Sequence, residues 1–417
     1  MANRIFGLII ISILLIAIDI YIYKAIRSVS WKWKGQKHLS FTYIWWGYTL
    51  LLIAGVFVSI FFNIKFLLRS IILVVFFLTF VSKIFILPFL IADDLRRISI
   101  WIKRKFNRKK ENIINEEKSI PRSEFLIKAG TLVAAIPLAS LSYGVVSSAY
   151  DYRVKRKTLY LPNLPKTFDG IKLGQLSDIH SGSFYDRKAV IGGVDMLMKE
   201  KPDMIFFTGD LVNNVASEMY EYQDIFSKVK APLGVFSVLG NHDYGDYHYG
   251  KGTSAAKIKN LADVKETHKN MGWNLLLNEN RRLKIDGEEL AILGIENWGV
   301  GRFAKYGRMD LAIKDTDDVP VKLLLSHDPS HWRAQILPEY SQIDAMFSGH
   351  THGMQFGLVT EKFQWSPAQY IYKEWAGLYK EGKQQLYVNV GFGFLGYPGR
   401  VGILPEITIF ELRCGDS

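Results

Sequence analysis

Gly240-Asn241-His242-Asp243 follows the apolar run Gly234–Leu239 and sets a neutral amide oxygen, an imidazole and a carboxylate side by side. Gly, Asn and Asp also gather after strands for backbone reasons alone, so the tetrapeptide takes its chemical meaning from its company. Asp178-Ile179-His180 follows Ile171–Leu176, Gly209-Asp210 follows Met204–Thr208, and Ser326-His327-Asp328-Pro329 follows Val321–Leu325. Gly349-His350-Thr351-His352-Gly353 follows Asp344–Phe347. The combined donors are Asp178, His180, Asp210, Asn241, His327, His350 and His352, carboxylates and imidazoles without thiolates, a set that suits Mn, Fe or Zn. On an extended chain, residues two apart point the same way, which pairs Asp178 with His180 and His350 with His352. Asp210 has two oxygens with which to bridge two ions, and Asn241 completes a coordination sphere without adding charge. Two ions about 3.5–4 Å apart activate a water and clamp a phosphoryl group. Four of the nine histidines fall in this set and His242 sits next to it, which makes a purely structural explanation of all five improbable.

The elements that must place these residues are short. From about residue 158, β-rich runs alternate with helical ones such as Lys188–Lys199 and Met219–Lys230, the pattern of an α/β domain. Each strand ends in polar residues, where open α/β sheets carry their sites. Gln385–Val390 and Ile407–Leu412 read as further strands, and Tyr244–Lys259, rich in Gly, Tyr and Lys, reads as a loop beside the site.

The chain before this is different. Of the 52 Lys and Arg and 40 Asp and Glu, residues 1–150 hold 20 and 7, so the net charge of +12 belongs wholly to the first part. That removes the main support for a nucleic-acid partner. Four apolar runs, 5–23, 41–62, 70–92 and 129–146, are long enough to cross a bilayer, which takes about 20 residues. Tyr21, Tyr23, Trp45 and Trp46 lie near run ends, as interfacial aromatics do. Lys24, Arg27, Lys32, Lys34 and Lys37 separate the first two runs, and Arg96, Arg97, Lys103, Arg104, Lys105, Arg108, Lys109 and Lys110 separate the last two. Only Lys65 and Arg69 lie between the second and third. Basic loops stay cytoplasmic, so the fourth run carries the chain to the periplasmic or extracellular side of the cell (inner) membrane. Arg153, Lys155, Arg156 and Lys157, directly after that run, argue the other way. Arg122-Ser123-Glu124-Phe125-Leu126-Ile127-Lys128 looks like a twin-arginine export leader with Ser123 in place of the second arginine, and is expected to serve as an uncleaved anchor. Asp19 and Lys83 lie inside runs, where charges are usually paired or functional; the favoured expectation is that both reach toward the headgroups. The sole cysteine, Cys414, excludes an intrachain disulfide.

The ordered set Asp-x-His, Gly-Asp, Gly-Asn-His-Asp, His, Gly-His-x-His resembles the calcineurin-like metallophosphoesterases, and most closely their bacterial membrane-associated, YkuE-type branch, over roughly residues 158–413. The resemblance implies a four-layer α-β-β-α sandwich, here at 151–417, behind a multi-span helical membrane region at 1–150. It implies that Asp178, His180 and His352 hold one metal, that Asn241, His327 and His350 hold a second, and that Asp210 bridges them. His242 would stand near the leaving group as proton donor or charge stabiliser, oriented by Asp243. The implied activity is hydrolysis of a phosphomono- or diester by attack of a metal-activated hydroxide, with lipid-linked and cell-envelope phosphates among the candidate substrates. A UDP-2,3-diacylglucosamine-type pyrophosphatase and a non-catalytic membrane sensor with a vestigial domain are the alternatives. Two departures stand out. Met354 occupies a position where family members often have glycine, beside the substrate entrance. The glycine-rich stretch Gly391–Arg400 ends in a cation, Arg400, that can fork onto a phosphate.

Overall fold

The structure is a computed structural model that describes residues 2–29, 36–62, 66–108, 120–301, 303–360 and 363–415. It divides into two compact units, Met1–Tyr143 and Gly144–Ser417.

The first unit is helical: α1 (Ala2–Val29), α2 (Gln36–Phe61), α3 (Phe66–Arg108) and α4 (Glu124–Tyr143). Each contains or begins a stretch long and apolar enough to span a membrane: Ile9–Val29, Leu39–Phe61, Ile71–Phe106 and Glu124–Ser148. The expected cytoplasmic loop after the third run starts later than its charges suggest. Arg96, Arg97, Lys103, Arg104, Lys105 and Arg108 all continue α3, because Lys and Arg are good helix formers and no glycine or proline interrupts them. Lys32, Lys34, Lys65, Lys109 and Lys110 lie outside the described residues.

Asp19 and Lys83 do not reach apart toward the headgroups. Lys83 Nζ lies 2.5 Å from Asp19 Oδ1 and the Thr49 hydroxyl donates to Asp19 Oδ2 at 2.7 Å, while the Trp45 ring lies 5.4 Å from the ammonium. A lone charge in hydrocarbon is costly enough that pairing across three helices outweighs the reach to water. Arg122 also has a structural role, since it lies 3.2 Å from Asp94 and 3.5 Å from Asp93. Ser123 caps α4, its Oγ accepting from Leu126 N at 3.3 Å.

In the second unit the chain lays down β1 (Arg153–Leu161), β2 (Lys172–Leu176), β3 (Met204–Phe207), β4 (Val235–Ser237) and β5 (Asn274–Leu275). It continues through β6 (Glu279–Ile285), β7 (Glu288–Gly294), β8 (Lys322–Leu325), β9 (Ala345–Ser348) and a small hairpin, β10 (Leu358–Val359) with β11 (Gln364–Trp365). It ends with β12 (Gly377–Glu381), β13 (Gln384–Val388) and β14 (Glu406–Cys414). Two six-stranded mixed sheets result, in the orders β1-β14-β2-β3-β4-β5 and β12-β13-β9-β8-β7-β6.

Strand alternation builds the layers. Met204 and Phe206 of β3 face inward with Leu323 and Leu325 of β8 and Phe347 of β9, and the Phe206 and Phe347 rings meet edge-on at 5.1 Å. Ile205 and Phe207 face outward onto Val190, Val194 and Leu197 of the helix α5 (Arg187–Lys199). Leu324 and Met346 face the opposite way, onto Trp332 and Ile336. This is the four-layer α-β-β-α sandwich. The helix expected at Met219–Lys230 is only two short turns, Ala216–Met219 and Gln223–Phe226. Met219, Tyr222, Ile225, Phe226 and Val229 keep the buried spacing of a helix, but a turn at Tyr220–Tyr222 separates the two pieces. The loop expected at Tyr244–Lys259 closes early, because Ser254 caps a helix at Ala255–Asn270 by accepting from Lys257 N at 3.2 Å.

Candidate metal centre

The loops directly after parallel neighbours β2, β3 and β4 carry Asp178, Asp210 and Asn241, and those after parallel neighbours β8 and β9 carry His327 and His350. The two sheets are joined at this rim by Gln175, whose Nε2 donates to Ser348 O at 3.0 Å and to Thr208 Oγ1 at 3.2 Å. The side chains do not converge through extended geometry, as residue spacing had suggested. Asp178, His180, Asp210, His350 and His352 all have φ between 48° and 72°. Left-handed backbone at a non-glycine costs about 1–2 kcal/mol per residue, and its concentration on five chemically active residues marks a functional constraint. The flanking glycines leave room. A Cβ on Gly240 would meet Asp210, and one on Gly349 would fall on the Asp178 carboxylate.

The result is two donor groups, Asp178 with His180 and His352, and Asp210 with His327 and His350, each with its ligand atoms within 4.8 Å of one another. Asp210 links them: its Oδ2 lies 3.5 Å from His180 Nε2 and 3.2 Å from His327 Nε2. Its Oδ1 is occupied by the backbone N–H of His242 at 2.9 Å, so one oxygen, not two, faces both groups. His352 Nε2 lies 3.2 Å from Asp178 Oδ1, and His350 Nδ1 lies 3.2 Å from His327 Nε2.

Ring orientation is fixed from behind. His327 Nδ1 donates to Thr208 O at 2.8 Å, which frees its Nε2, and His350 Nε2 bonds the Tyr372 hydroxyl at 2.8 Å, which leaves its Nδ1 facing inward. Asn241 Nδ2 donates to the Tyr247 hydroxyl at 3.0 Å and thereby turns its oxygen the other way. Asn241 Oδ1, His180 Nε2 and His352 Nε2 are buried without a hydrogen-bond partner, a pattern that fits donors awaiting cations. Burial pushes the His180 and His350 pKa values down, keeping both rings neutral. Burial works against charged Asp178 and Asp210, but the adjacent imidazoles, His352 and His327 foremost, hold both carboxyls well below the usual range. Burial likewise disfavours protonated His327, yet the Asp210 carboxylate pushes its pKa up to about 10, so a cation held there would have to displace that proton.

Residues 171–354 match the family model described as "Calcineurin-like phosphoesterase", and residues 3–149 match "Probable Calcineurin-like phosphoesterase, transmembrane domain". A Campylobacter jejuni metallophosphoesterase is 30% identical over 285 residues, covering 66% of this chain and 67% of that one. The chain belongs to the calcineurin-like phosphoesterase family. The Bacillus subtilis (strain 168) protein described as "Uncharacterized metallophosphoesterase YkuE" is 29% identical, over 71% of this chain and 99% of its own length. A zebrafish "Transmembrane protein with metallophosphoesterase domain" is 28% identical over 68% of this chain, which spans only 62% of that relative. Calcineurin-like phosphoesterases use a dinuclear metal site, and the two Asp/His groups here match that need.

Two expectations change. Asp243 does not orient His242. Its fully buried carboxylate accepts from the N–H groups of Asp210, Leu211, Val212 and Gly240 at 2.8–3.2 Å, clamping two loops together. His242 Nδ1 instead donates to the backbone carbonyl of Asn213 at 2.7 Å, and Tyr247 stacks on the ring at 4.4 Å. Asn213 and Tyr372 had no sequence signal, since a carbonyl has no residue type and single tyrosines are everywhere, whereas Tyr247 falls in the Tyr-rich stretch Tyr244–Lys259 that reads as a loop beside the site.

Arg400 is not a phosphate ligand. It is fully buried and donates to the carbonyls of Val390, Gly391, Gly393 and Ile403 at 2.5–3.3 Å, so it folds the glycine-rich loop around itself. Burial lowers its pKa to about 10, which leaves it charged near neutrality. Arg400→Met should therefore destabilise the fold by about 3 kcal/mol or more, the cost of stranding several buried acceptors. The expected result is a fall in Tm with an unchanged KM for phosphate esters in the folded fraction. An unchanged Tm with a raised KM would return Arg400 to the substrate.

Met354 has a left-handed φ of +48°, a conformation that favours glycine, and its side chain is exposed.

Proposed function

We propose that this chain is a membrane-anchored phosphoesterase that hydrolyses a phosphomono- or diester at two cations held by Asp178, His180 and His352 on one side and Asn241, His327 and His350 on the other. Asp210 is their bridge. The observation that carries this reading is the position of Asp210 Oδ2 within 3.5 Å of His180 Nε2 and 3.2 Å of His327 Nε2. When bound, Mn, Fe or Zn ions supply Lewis-acid activation of water and neutralise phosphoryl charge. The chain's own residues do the rest. Asp243 holds the loop that aims Asp210. Asn213 keeps the Nδ1 proton on His242, so its Nε2 is the atom that moves a proton to the leaving oxygen. The full-length protein, stripped and reloaded with each metal, should bind two ions per chain. It should then hydrolyse p-nitrophenyl phosphate or its diester only when loaded. A folded, loaded protein inactive on all mono- and diesters would sink the reading.

The catalytic unit is proposed to lie on the periplasmic or extracellular side. The basic cluster that argued against this has a folded-state explanation: Arg153 pairs with Asp151, Lys155 with Glu406 and Arg156 with Glu200 at 2.5–2.6 Å. Three of its four charges are therefore paired within the unit. A reporter that works only outside the cytoplasm should be active when fused after residue 150 and silent when fused near Asn107. The opposite pattern would place the site in the cytoplasm and favour the UDP-2,3-diacylglucosamine-type activity.

A further inference from the structure

Tyr387, Tyr185 and Tyr244 each give their phenol proton to an oxygen: Tyr387 to Glu406 at 2.6 Å, Tyr185 to Val145 O at 2.8 Å and Tyr244 to Glu296 at 3.3 Å. Two tyrosines beside the candidate metal centre do the opposite. Tyr247 Oη accepts from Asn241 Nδ2 at 3.0 Å. Tyr372 Oη lies 2.8 Å from His350 Nε2. With Nδ1 of that ring turned to a cation, Nε2 carries the ring proton and the phenol oxygen accepts it. Neither hydroxyl makes a further hydrogen bond among the described residues. Each phenol therefore keeps its own O–H uncommitted.

Both rings are fixed and both reach solvent. Tyr247 is 57% exposed and sits on the short turn Asp246–Tyr249. One face of its ring lies on His242 at 4.4 Å, with 24° between the planes. Tyr372 is half-buried against Ala368, Trp375, Val390 and Ile403, and its N–H donates to Ala368 O at 2.8 Å. The hydroxyl of Thr351, the neighbour of His350, donates to Trp375 O at 2.7 Å and ties this segment to the ligand loop. The two phenols are neighbours. Burial pushes the Tyr372 pKa up, and nearby Asp328 and Tyr247 push it further. Burial raises that of Tyr247 as well, against the Asn241 N–H, so both protons stay on at neutral pH.

This matters for the choice between mono- and diesters. Charge in phosphoryl transfer is spread over three equatorial oxygens. In a monoester all three are terminal and accept hydrogen bonds. In a diester one of them carries carbon and is a poor acceptor. A free O–H beside the site gains a charged partner from the first and loses its water for nothing in front of the second.

We propose that Tyr247 and Tyr372 bind the substrate by donating to a terminal phosphoryl oxygen, and that they set the site for phosphomonoesters over diesters. This rests on the phosphoesterase reading above. Neither proton is transferred. The N–H groups of Asn241 and His350 hold the phenol oxygens in place and polarise them, which strengthens the outgoing O–H bonds.

The test uses the full-length, metal-loaded protein with p-nitrophenyl phosphate and methyl p-nitrophenyl phosphate. These share a leaving group and differ only in whether the third oxygen carries carbon. Tyr247→Phe with Tyr372→Phe should lower kcat/KM for the monoester about 10–100-fold more than for the diester. Inorganic phosphate, titrated calorimetrically, should bind the same variant about tenfold or more weakly than it binds the unmodified protein. Each single variant should show part of both effects, and the singles carry the test if the double variant does not fold. Equal losses on the two esters, with or without loss of an ion, confine the hydroxyls to holding Asn241 and His350 and overturn the proposal. An unchanged phosphate affinity overturns it too, as does a higher kcat/KM for the diester in the unmodified protein. If the unmodified protein hydrolyses neither ester, the phosphoesterase reading fails, and the phosphate titration alone decides whether the two hydroxyls bind a phosphoryl oxygen.

Discussion

Asp210→Ala should leave the chain folded, with one bound ion or none, and with phosphoesterase activity reduced on the order of 10³-fold or more. The size follows from what Asp210 faces. Its Oδ2 lies near a donor atom of both groups, 3.5 Å from His180 Nε2 and 3.2 Å from His327 Nε2. At 4 Å and an effective dielectric of about 20, two unit charges repel by about 4 kcal/mol, and two dications by several times that. Without the bridging charge, the second ion must enter against this repulsion. Asp210 Oδ1 also holds the backbone N–H of His242 at 2.9 Å, so the substitution loosens the adjacent loop as well. Metal analysis and turnover measured on the same folded sample decide it. Two retained ions with most of the activity would remove Asp210 as the bridge.

The candidate metal donors were legible in sequence because each follows a strand short enough to be read from its apolar run, and because Asp, His and Asn at such ends have few other reasons to gather. Asp178, His180, Asp210, His327, His350 and His352 meet as two groups. How they meet was not legible. Alternation along an extended chain would account for same-side pairing, whereas the backbone at five of these residues turns left-handed, with φ from 48° to 72°. Nothing in a side chain's identity announces that conformation. Arg400 misled for a related reason. A lone arginine in a glycine-rich stretch looks available for phosphate, but glycine carbonyls lie open and close enough to saturate a guanidinium. Asp243 misled because adjacency in sequence to His242 suggested contact, while the turn at Gly240 points the carboxylate back at four amides. In the membrane unit, the four spans followed from length and hydropathy, but the end of α3 did not. Charge marks the membrane boundary, not the helix boundary, and α3 runs on to Arg108.

His242→Ala should keep both ions and the fold and yet lose much of kcat, selectively. Its backbone N–H, which holds Asp210, survives the substitution, and no donor of either Asp/His group is removed. What is lost is a ring fixed on two sides, by the Asn213 carbonyl at 2.7 Å on Nδ1 and by the Tyr247 ring at 4.4 Å. The ring also packs edge-on against His180 at 4.9 Å, which places it beside the first donor group. With Nδ1 committed to a carbonyl that can only accept, Nε2 is the nitrogen left to face a substrate. A positioned acid of this kind contributes typically 10²–10⁴-fold, and it matters only where the leaving oxygen needs a proton. Alkyl phosphates, with high leaving-group pKa, should therefore slow by about that factor, while p-nitrophenyl phosphate, whose phenolate departs unaided, should slow far less. Equal losses on both would reassign His242 to stabilising phosphoryl charge, and loss of an ion would put it in the coordination shell. Asp243→Asn separates the two residues further. Asp243 holds backbone and not the ring, so its substitution should lower Tm and metal content together and slow both substrate types alike. A leaving-group-dependent loss in that variant, with metals intact, would instead tie Asp243 to the proton on His242.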